Sequence, residues 1–202
     1  MKIIKYEALK DGTYKVILSD CNILKLYEDV IVKNNLLYKS EIDDKLLKKI
    51  NSDNDYSSMY YNGVKYLSNR LRSEKEVREY LLKKYPYSNN IDAIIDKLKD
   101  NKMINDYEYA KAYTHDKLLF TSLGPYRIKD ELYRNCIDKD IIFEVIDNIN
   151  YDTIYEKSLK QINKLINSSR KKDNLRNKIY SNMINRGFDA SMIIDILNEL
   201  MV

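Results

Sequence analysis

One periodicity constrains the fold of this chain more than any other feature of its sequence. Apolar residues recur at a spacing of 51 positions, so that Val77, Ile128 and Ile179 occupy equivalent places. Repetition at such a period is typical of repeat proteins, and within each copy the apolar residues follow helical spacing. The sequence therefore predicts three copies of one helical unit. Six positions repeat in this way: Val77, Leu81, Ile91, Ile94, Ile95 and Leu98; then Ile128, Leu132, Ile142, Val145, Ile146 and Ile149; then Ile179, Met183, Ile193, Ile196, Leu197 and Leu200.

Each copy also carries residues that start helices. Ser73–Glu76 (SEKE) is a capping box, in which the Ser hydroxyl and the Glu carboxylate satisfy free backbone N–H groups. Gly124-Pro125 holds the equivalent place in the second copy, with Pro suited to a first helical turn, and Asp173 is the expected cap in the third. The next helix of each copy should begin near Ser88, Asp138 or Asp189.

A third helix is expected ahead of each pair, at about residues 58–71, 106–120 and 151–167, and Asn105 is a suitable cap for the middle one. The unit is thus three helices, each about 20 Å long. No unit should bury its apolar stripe completely alone, so neighbouring units should stack into an elongated, curved array.

The first 50 residues follow a different pattern. Asp11-Gly12 is a hairpin signal, an amphipathic helix is expected over Ile42–Ile50, and the polar run Asn51–Asp55 is expected to be a linker. The residues around the hairpin alternate as in a small antiparallel sheet. Its expected strands are Lys2–Leu9, Thr13–Leu18 and Asn22–Tyr27.

The predicted fold class is therefore mainly α, a tandem array of three three-helix repeats preceded by a small β-sheet and a helix. We expect four parts: a β-rich domain at residues 1–55 and repeats at 56–104, 105–150 and 151–202.

Composition limits where such a protein acts. The formal net charge is +4 and no apolar run approaches the ~18 residues of a membrane span. Lys2 and Lys5 interrupt the N-terminal apolar residues, which is unlike a secretory signal. Cys21 and Cys136 are expected to be free thiols in a reducing cytoplasm rather than a disulfide.

Residues for catalysis are scarce. His115 is the only histidine, so no Ser, His and Asp set can be assembled without it, and it lacks zinc-ligand spacing with the two cysteines. The four glycines are scattered and form no phosphate-binding loop. We expect no enzyme activity, no metal and no cofactor.

Positive charge concentrates in the third copy. Between Lys160 and Arg186 lie eight basic residues against one acid, Asp173. Lys157 and Lys164 share one helix face with Lys160, an arrangement that could contact phosphates or the acidic side of a protein; a merely solvated face is the alternative. The candidate binding residues are Lys157, Lys160, Lys164, Arg170, Lys171, Lys172, Arg176 and Lys178, with a weaker cluster at Arg70 and Arg72.

Four segments, in order, resemble the RecX family of RecA modulators. Residues 67–77 (LSNRLRSEKEV) resemble its first-repeat signature, 103–110 (MINDYEYA) its junction between repeats one and two, 124–132 (GPYRIKDEL) its second-repeat motif and 186–188 (RGF) its third. One departure is that members usually place Gly after the second helix of a repeat. Gly187 keeps it, but Tyr85 and Cys136 stand at the equivalent positions, so these two turns should close in another way.

The resemblance implies a cytoplasmic protein that binds RecA and lies in the groove of the RecA–DNA filament; a monomer is the default expectation. It would restrain recombination, strand exchange and the co-protease activity of the SOS response. Two other functions stay open at this point: a stand-alone DNA- or RNA-binding module, and a helical scaffold for an unrelated protein.

Overall fold

The computed structural model of the chain describes residues 1–169 and 174–201. It has three strands, β1 (Ile3–Ala8), β2 (Thr13–Leu18) and β3 (Ile23–Tyr27), and a short 3-10 helix at Leu36–Tyr38. The described helices are α1 (Glu28–Lys33), α2 (Asp44–Leu67), α3 (Glu74–Lys84), α4 (Ile91–Asp100), α5 (Asp106–Phe120), α6 (Pro125–Arg134), α7 (Lys139–Asp147), α8 (Tyr151–Ser168), α9 (Leu175–Asn185) and α10 (Ala190–Leu200).

The chain divides into two compact units. The first comprises Met1–Arg70 and Val77–Met103, and so contains the sheet together with most of the first repeat. The second comprises Leu71–Glu76 and the described residues from Ile104 onward, which form repeats two and three.

The sheet at the start of the first unit is the one that the sequence predicts. Its strands are antiparallel in the order β1-β2-β3, and Val16 pairs with Tyr6 on one side and Leu24 on the other. Gly12 takes a φ of 79° in the hairpin, where the Leu9 N–H donates to the Thr13 carbonyl at 2.8 Å. The apolar core beneath the sheet consists of Val16, Leu18, Leu26, Val30, Ile31, Leu36, Ile42 and Ile50.

The linker predicted at residues 51–55 is wrong, because α2 runs without a break from Asp44 to Leu67. Two residues of the polar run, Asp53 and Asn54, contact neighbouring elements. Asn54 Oδ1 accepts from the Tyr27 N–H at 3.1 Å, and Asp53 accepts from Asn34 Nδ2 at 2.9 Å and Lys33 Nζ at 2.7 Å. The polar run therefore joins a helix to β3 and α1, and α1 itself was not anticipated.

The predicted three-helix repeats are present. The leading helices α5 and α8 match the expected ranges, and the second half of α2 leads the first repeat. The second and third helices of the repeats are α3 and α4, α6 and α7, and α9 and α10.

The repeating apolar positions form the cores. All six are buried in the first copy, whereas Leu200 in the third is 40% exposed and Ile146 and Ile149 in the second are half-buried. Repeats two and three each have a hydrophobic cluster of their own, centred on Ile128 and Ile193 respectively. Each of these two repeats therefore buries most of its apolar stripe within itself but leaves the last positions of the stripe only partly covered.

Most of the predicted caps are confirmed. Ser73 and Glu76 exchange two hydrogen bonds of 3.2 Å, each accepting the other's backbone N–H, and Asn105 accepts from the N–H groups of Tyr107 and Glu108. Asp138 and Asp189 cap α7 and α10.

One cap of the repeats differs from the prediction, and another is not tested. Ser88 is not a cap, because its hydroxyl accepts from the Asn90 N–H in a turn and α4 begins only at Ile91. Asp173 lies outside the described residues, and α9 begins at Leu175. Over the described ranges, no helix is both long enough and apolar enough to cross a membrane.

Candidate partner-binding surface

The helix α8 carries the predicted lysine ladder along one face. Lys157, Lys160 and Lys164 line an open groove whose other wall is the C-terminal end of α5. Leu118 and Leu119 supply the apolar part of that wall. The remaining lining residues are Thr121, Thr153, Glu156 and Gln161.

The first lysine of the ladder forms part of the fold. Lys157 Nζ donates to the Lys117 carbonyl at 3.1 Å and to the Leu118 carbonyl at 2.6 Å, both in the last turn of α5. The Lys117 carbonyl also accepts from the Thr121 N–H and hydroxyl, so the ammonium group adds a donor there and complements the negative end of the helix dipole. Burial lowers the pKa of Lys157 to about 8. The hydrogen bonds of its amino group thus join repeat three to repeat two.

The other two lysines of the ladder are exposed cations. Among residues 1–169 and 174–201, no carboxylate lies within ion-pair distance of Lys160 or Lys164. Lys117 on the facing helix differs, because its Nζ lies 2.9 Å from Glu131 Oε2 and that hydrogen bond raises the pKa of Lys117. The groove therefore presents Lys160 and Lys164 as charges available to a partner.

The remaining candidate cations are not gathered at this groove. Arg176 on α9 donates to the Leu197 carbonyl at 3.4 Å and to Asn198 Oδ1, and so holds α10. Lys178 is an exposed residue of α9. Arg170, Lys171 and Lys172 lie outside the described residues.

The weaker predicted cluster is divided. Arg70 is exposed and belongs to the first unit, whereas Arg72 belongs to the second. The Arg72 side chain is only 12% exposed, with its guanidinium 4.0 Å from Glu76 Oε1.

Beside the α8 ladder, repeats two and three meet through their backbones. The Gly124 N–H donates to the Arg186 carbonyl at 2.8 Å, and the Tyr126 N–H donates to the Gly187 carbonyl at 3.0 Å. A Cβ on Gly124 would lie 2.4 Å from the Gly187 oxygen, and one on Gly187 would lie 2.2 Å from the Arg127 nitrogen. The sequence patterns place Gly124 at the start of one helix and Gly187 after the end of another, each by itself. The sequence did contain one signal that two backbones approach closely here: two of its only four glycines fall in the motifs of adjacent repeats.

The turns after α6 and α9 share one geometry, which corrects the prediction for Cys136. Cys136 has a φ of 57°, and the N–H of the next residue, Ile137, donates to the Leu132 carbonyl at 3.2 Å. In the turn at Gly187, the Phe188 N–H donates to the Met183 carbonyl at the same distance. Both are Schellman-type ends with a left-handed residue. The first repeat does close differently, since Tyr85 does not adopt a left-handed φ.

Reactive side chains are dispersed in the described part of the chain. His115 projects from α5 with 70% of its side chain exposed, and Cys21 and Cys136 are both exposed free thiols. Within the described ranges, no group of three or more His, Cys, Asp or Glu residues is placed to hold a metal ion.

The chain is similar to known proteins in both sequence and fold. Residues 60–98 match the first three-helix domain of RecX and residues 105–146 match the second. The regulatory protein RecX of Streptococcus pneumoniae is 32% identical, covering 98% of this chain and 78% of the relative. That of Bacillus pumilus is 31% identical, covering 98% and 76%.

Two solved structures share the fold. A crystal structure of regulatory protein RecX superposes with a TM-score of 0.83 at 24% identity over 98% of both chains. RecX from Lactobacillus salivarius gives 0.65 at 32% identity, covering 72% of this chain and 96% of that one. The order of the repeats, their sequence match and their structure together lead to one conclusion: this chain belongs to the RecX family of regulatory proteins.

Proposed function

We propose that the chain regulates RecA in the cytoplasm by binding RecA and its nucleoprotein filament as a monomer. In this role it restrains strand exchange and the co-protease activity of the SOS response, and so acts in DNA recombination and repair. It performs no catalysis of its own. Membership of the RecX family supports the regulatory part of this proposal.

The exposed lysines of α8 are the observation that carries the binding part. Lys160 and Lys164 stand on a helix whose position is set by the Lys157 contact with α5. Pre-positioned cations steer association with an anionic partner, and their contribution weakens as salt screens them. A RecA–DNA filament offers both phosphates and acidic protein surface to such a helix.

The test is inhibition of the DNA-dependent ATP hydrolysis of RecA. We expect inhibition at sub-stoichiometric amounts of the protein, without loss of free DNA. A charge reversal with Lys160→Glu and Lys164→Glu should weaken filament binding and flatten its dependence on salt between about 50 and 200 mM, where phosphate contacts show themselves. Lys111→Glu is the matched control, because Lys111 is an exposed lysine of α5 that does not line the groove.

Three results would overturn the proposal. If excess naked DNA abolishes inhibition, the protein acts by coating DNA and is a stand-alone nucleic-acid-binding module. If affinity pull-down recovers another protein and no RecA, it is a scaffold. If the α8 reversal and the Lys111 control bind filaments equally, the α8 face is merely solvated.

A further inference from the structure

The groove beside α8 is chemically two-sided. Its α8 wall presents the exposed ammonium groups of Lys160 and Lys164, and its α5 wall presents Leu118 and Leu119. Leu119 is 59% exposed, and the neighbouring Phe120 is 81% exposed. Large exposed apolar side chains next to exposed cations indicate a surface for recognition rather than for solvation alone.

The Lys157 contact decides where the charge of this groove lies. Because its ammonium is held by the α5 carbonyls, it neutralises the helix end at the base of the groove. The charges left for a partner are those of Lys160 and Lys164, four residues apart on one face, about 6 Å along the helix axis. The apolar wall lies across from them.

We propose that this groove binds an acidic amphipathic segment of a protein partner. An apolar side chain of that segment lies against Leu118 and Leu119, and carboxylates of the segment pair with Lys160 and Lys164. This inference rests on the proposed function, in which the partner is RecA within its filament, and it assigns the groove to the protein of the filament rather than to its DNA.

The lining favours a protein segment over nucleic acid. Sequence-independent nucleic-acid binding draws on many phosphate contacts along a basic track, and the described lining of this groove offers two exposed cations together with the carboxylate of Glu156. A leucine wall opposite a charged face matches the pattern by which an amphipathic helix is recognised, with apolar anchors on one side and a polar rim on the other.

Photo-crosslinking from the apolar wall tests the assignment. The full-length protein carrying p-benzoylphenylalanine at position 119 is irradiated with RecA filaments assembled on labelled single-stranded DNA. We expect a crosslink to RecA protein, in a peptide whose Asp or Glu residues flank an apolar residue. The reversal Lys160→Glu with Lys164→Glu should lower the yield about twofold to thirtyfold, as expected for the loss of two exposed ion pairs.

Matched controls separate this groove from general surface contact. Position 194 on α10 is the control for the photoreactive group, since Ile194 is also exposed, at 43%, and does not line the groove. Lys111→Glu is the control for charge and should leave the yield unchanged. Circular dichroism of each variant checks that it is folded.

Each other result overturns the inference in a recognisable way. A crosslink from position 119 to DNA alone assigns the groove to nucleic acid. Intact filament binding with no crosslink from position 119, or with equal yields from 119 and 194, rejects the groove while the proposed function stands. Absence of filament binding by the unmodified protein rejects the proposed function and this inference together.

Discussion

Repeats two and three end their middle helices with the same backbone turn but with different residues. Cys136 and Gly187 have φ values of 57° and 83°, and the residue after each donates to a carbonyl five positions back at 3.2 Å. The difference lies in what surrounds the turn. Cys136 is exposed, whereas Gly187 is buried against Arg127 of the preceding repeat.

The comparison shows that the left-handed turn does not by itself require glycine. A left-handed turn tolerates a side chain at a cost of about 1 kcal/mol, as Cys136 shows. The contact between repeats leaves no room for a Cβ at all. Glycine is therefore required at Gly187 by the neighbouring repeat, and only favoured there by the turn.

The largest effect is expected for Gly187→Ala. The new Cβ would lie 2.2 Å from the Arg127 backbone nitrogen, so the two repeats would have to move apart. The alanine would also be strained in the left-handed conformation of the turn. We expect a loss of about 2–5 kcal/mol in the free energy of unfolding, combining left-handed strain with overpacking. Urea denaturation measures it, with Cys136→Ala as the control that should change little. Equal effects at the two positions would reverse the comparison.

Gly124→Ala should cost less, about 1–3 kcal/mol from overpacking alone, because the φ of Gly124 is an ordinary −92°. Its Cβ would meet the Gly187 oxygen at 2.4 Å, so both substitutions open the same contact. The double variant should therefore be less destabilised than the sum of the single variants. Strict additivity in urea denaturation would show that the two glycines do not share one junction.

Lys157→Met tests the side-chain part of the same junction. Two carbonyls at the end of α5 lose a donor, but the variant also removes the buried charge whose burial lowers the pKa of Lys157, so the opposing effects should leave a net change within about 1 kcal/mol at neutral pH. The cost of the substitution should grow between pH 8 and pH 10.5. Burial lowers the pKa of Lys157 to about 8, so in this range the unfolded wild type binds a proton that the folded protein has released. The stability of the wild type therefore rises with pH relative to that of the variant. A pH-independent difference in urea unfolding between wild type and variant would contradict this.

The smallest change expected is a gain. Cys136→Gly removes the left-handed strain where no neighbour limits the space, so stability should rise by about 1 kcal/mol, less the added entropy of the unfolded chain. A small increase in thermal midpoint measures it, and Cys136→Ala separates loss of the thiol from relief of the backbone. A destabilised Cys136→Gly protein would mean that the turn is not strained.

The repeats could be predicted because their information is local. The helices are located by six apolar positions at constant spacing and by caps such as Ser73 and Asp189. These signals depend only on residues that are near each other in the sequence, so they can be recognised without the tertiary structure. The ladder on α8 was predicted for the same reason, since helical spacing alone puts Lys157, Lys160 and Lys164 on one face.

What could not be predicted depends on contacts between distant segments. Asn54 resembles a linker residue until the Tyr27 N–H is placed beside it, 27 positions away. Lys157 resembles its two neighbours on α8 until the end of α5, about 40 positions earlier, shows that it is engaged. The meeting of Gly124 and Gly187 likewise needs the packing of two repeats, which no periodicity specifies.

The unbroken helix α2 has a consequence for how the molecule folds and for how it can be shortened. Its first turns belong to the core beneath the sheet, through Ile50, and its later turns, through Met59 and Gly63, belong to the first repeat. The helix is about 36 Å long and contributes residues to two cores, so we expect these two cores to unfold together. Deleting the first 55 residues would cut α2 and remove the Asp43 cap at its start. The sheet and the first repeat should therefore be expressed together and should unfold together, as one module.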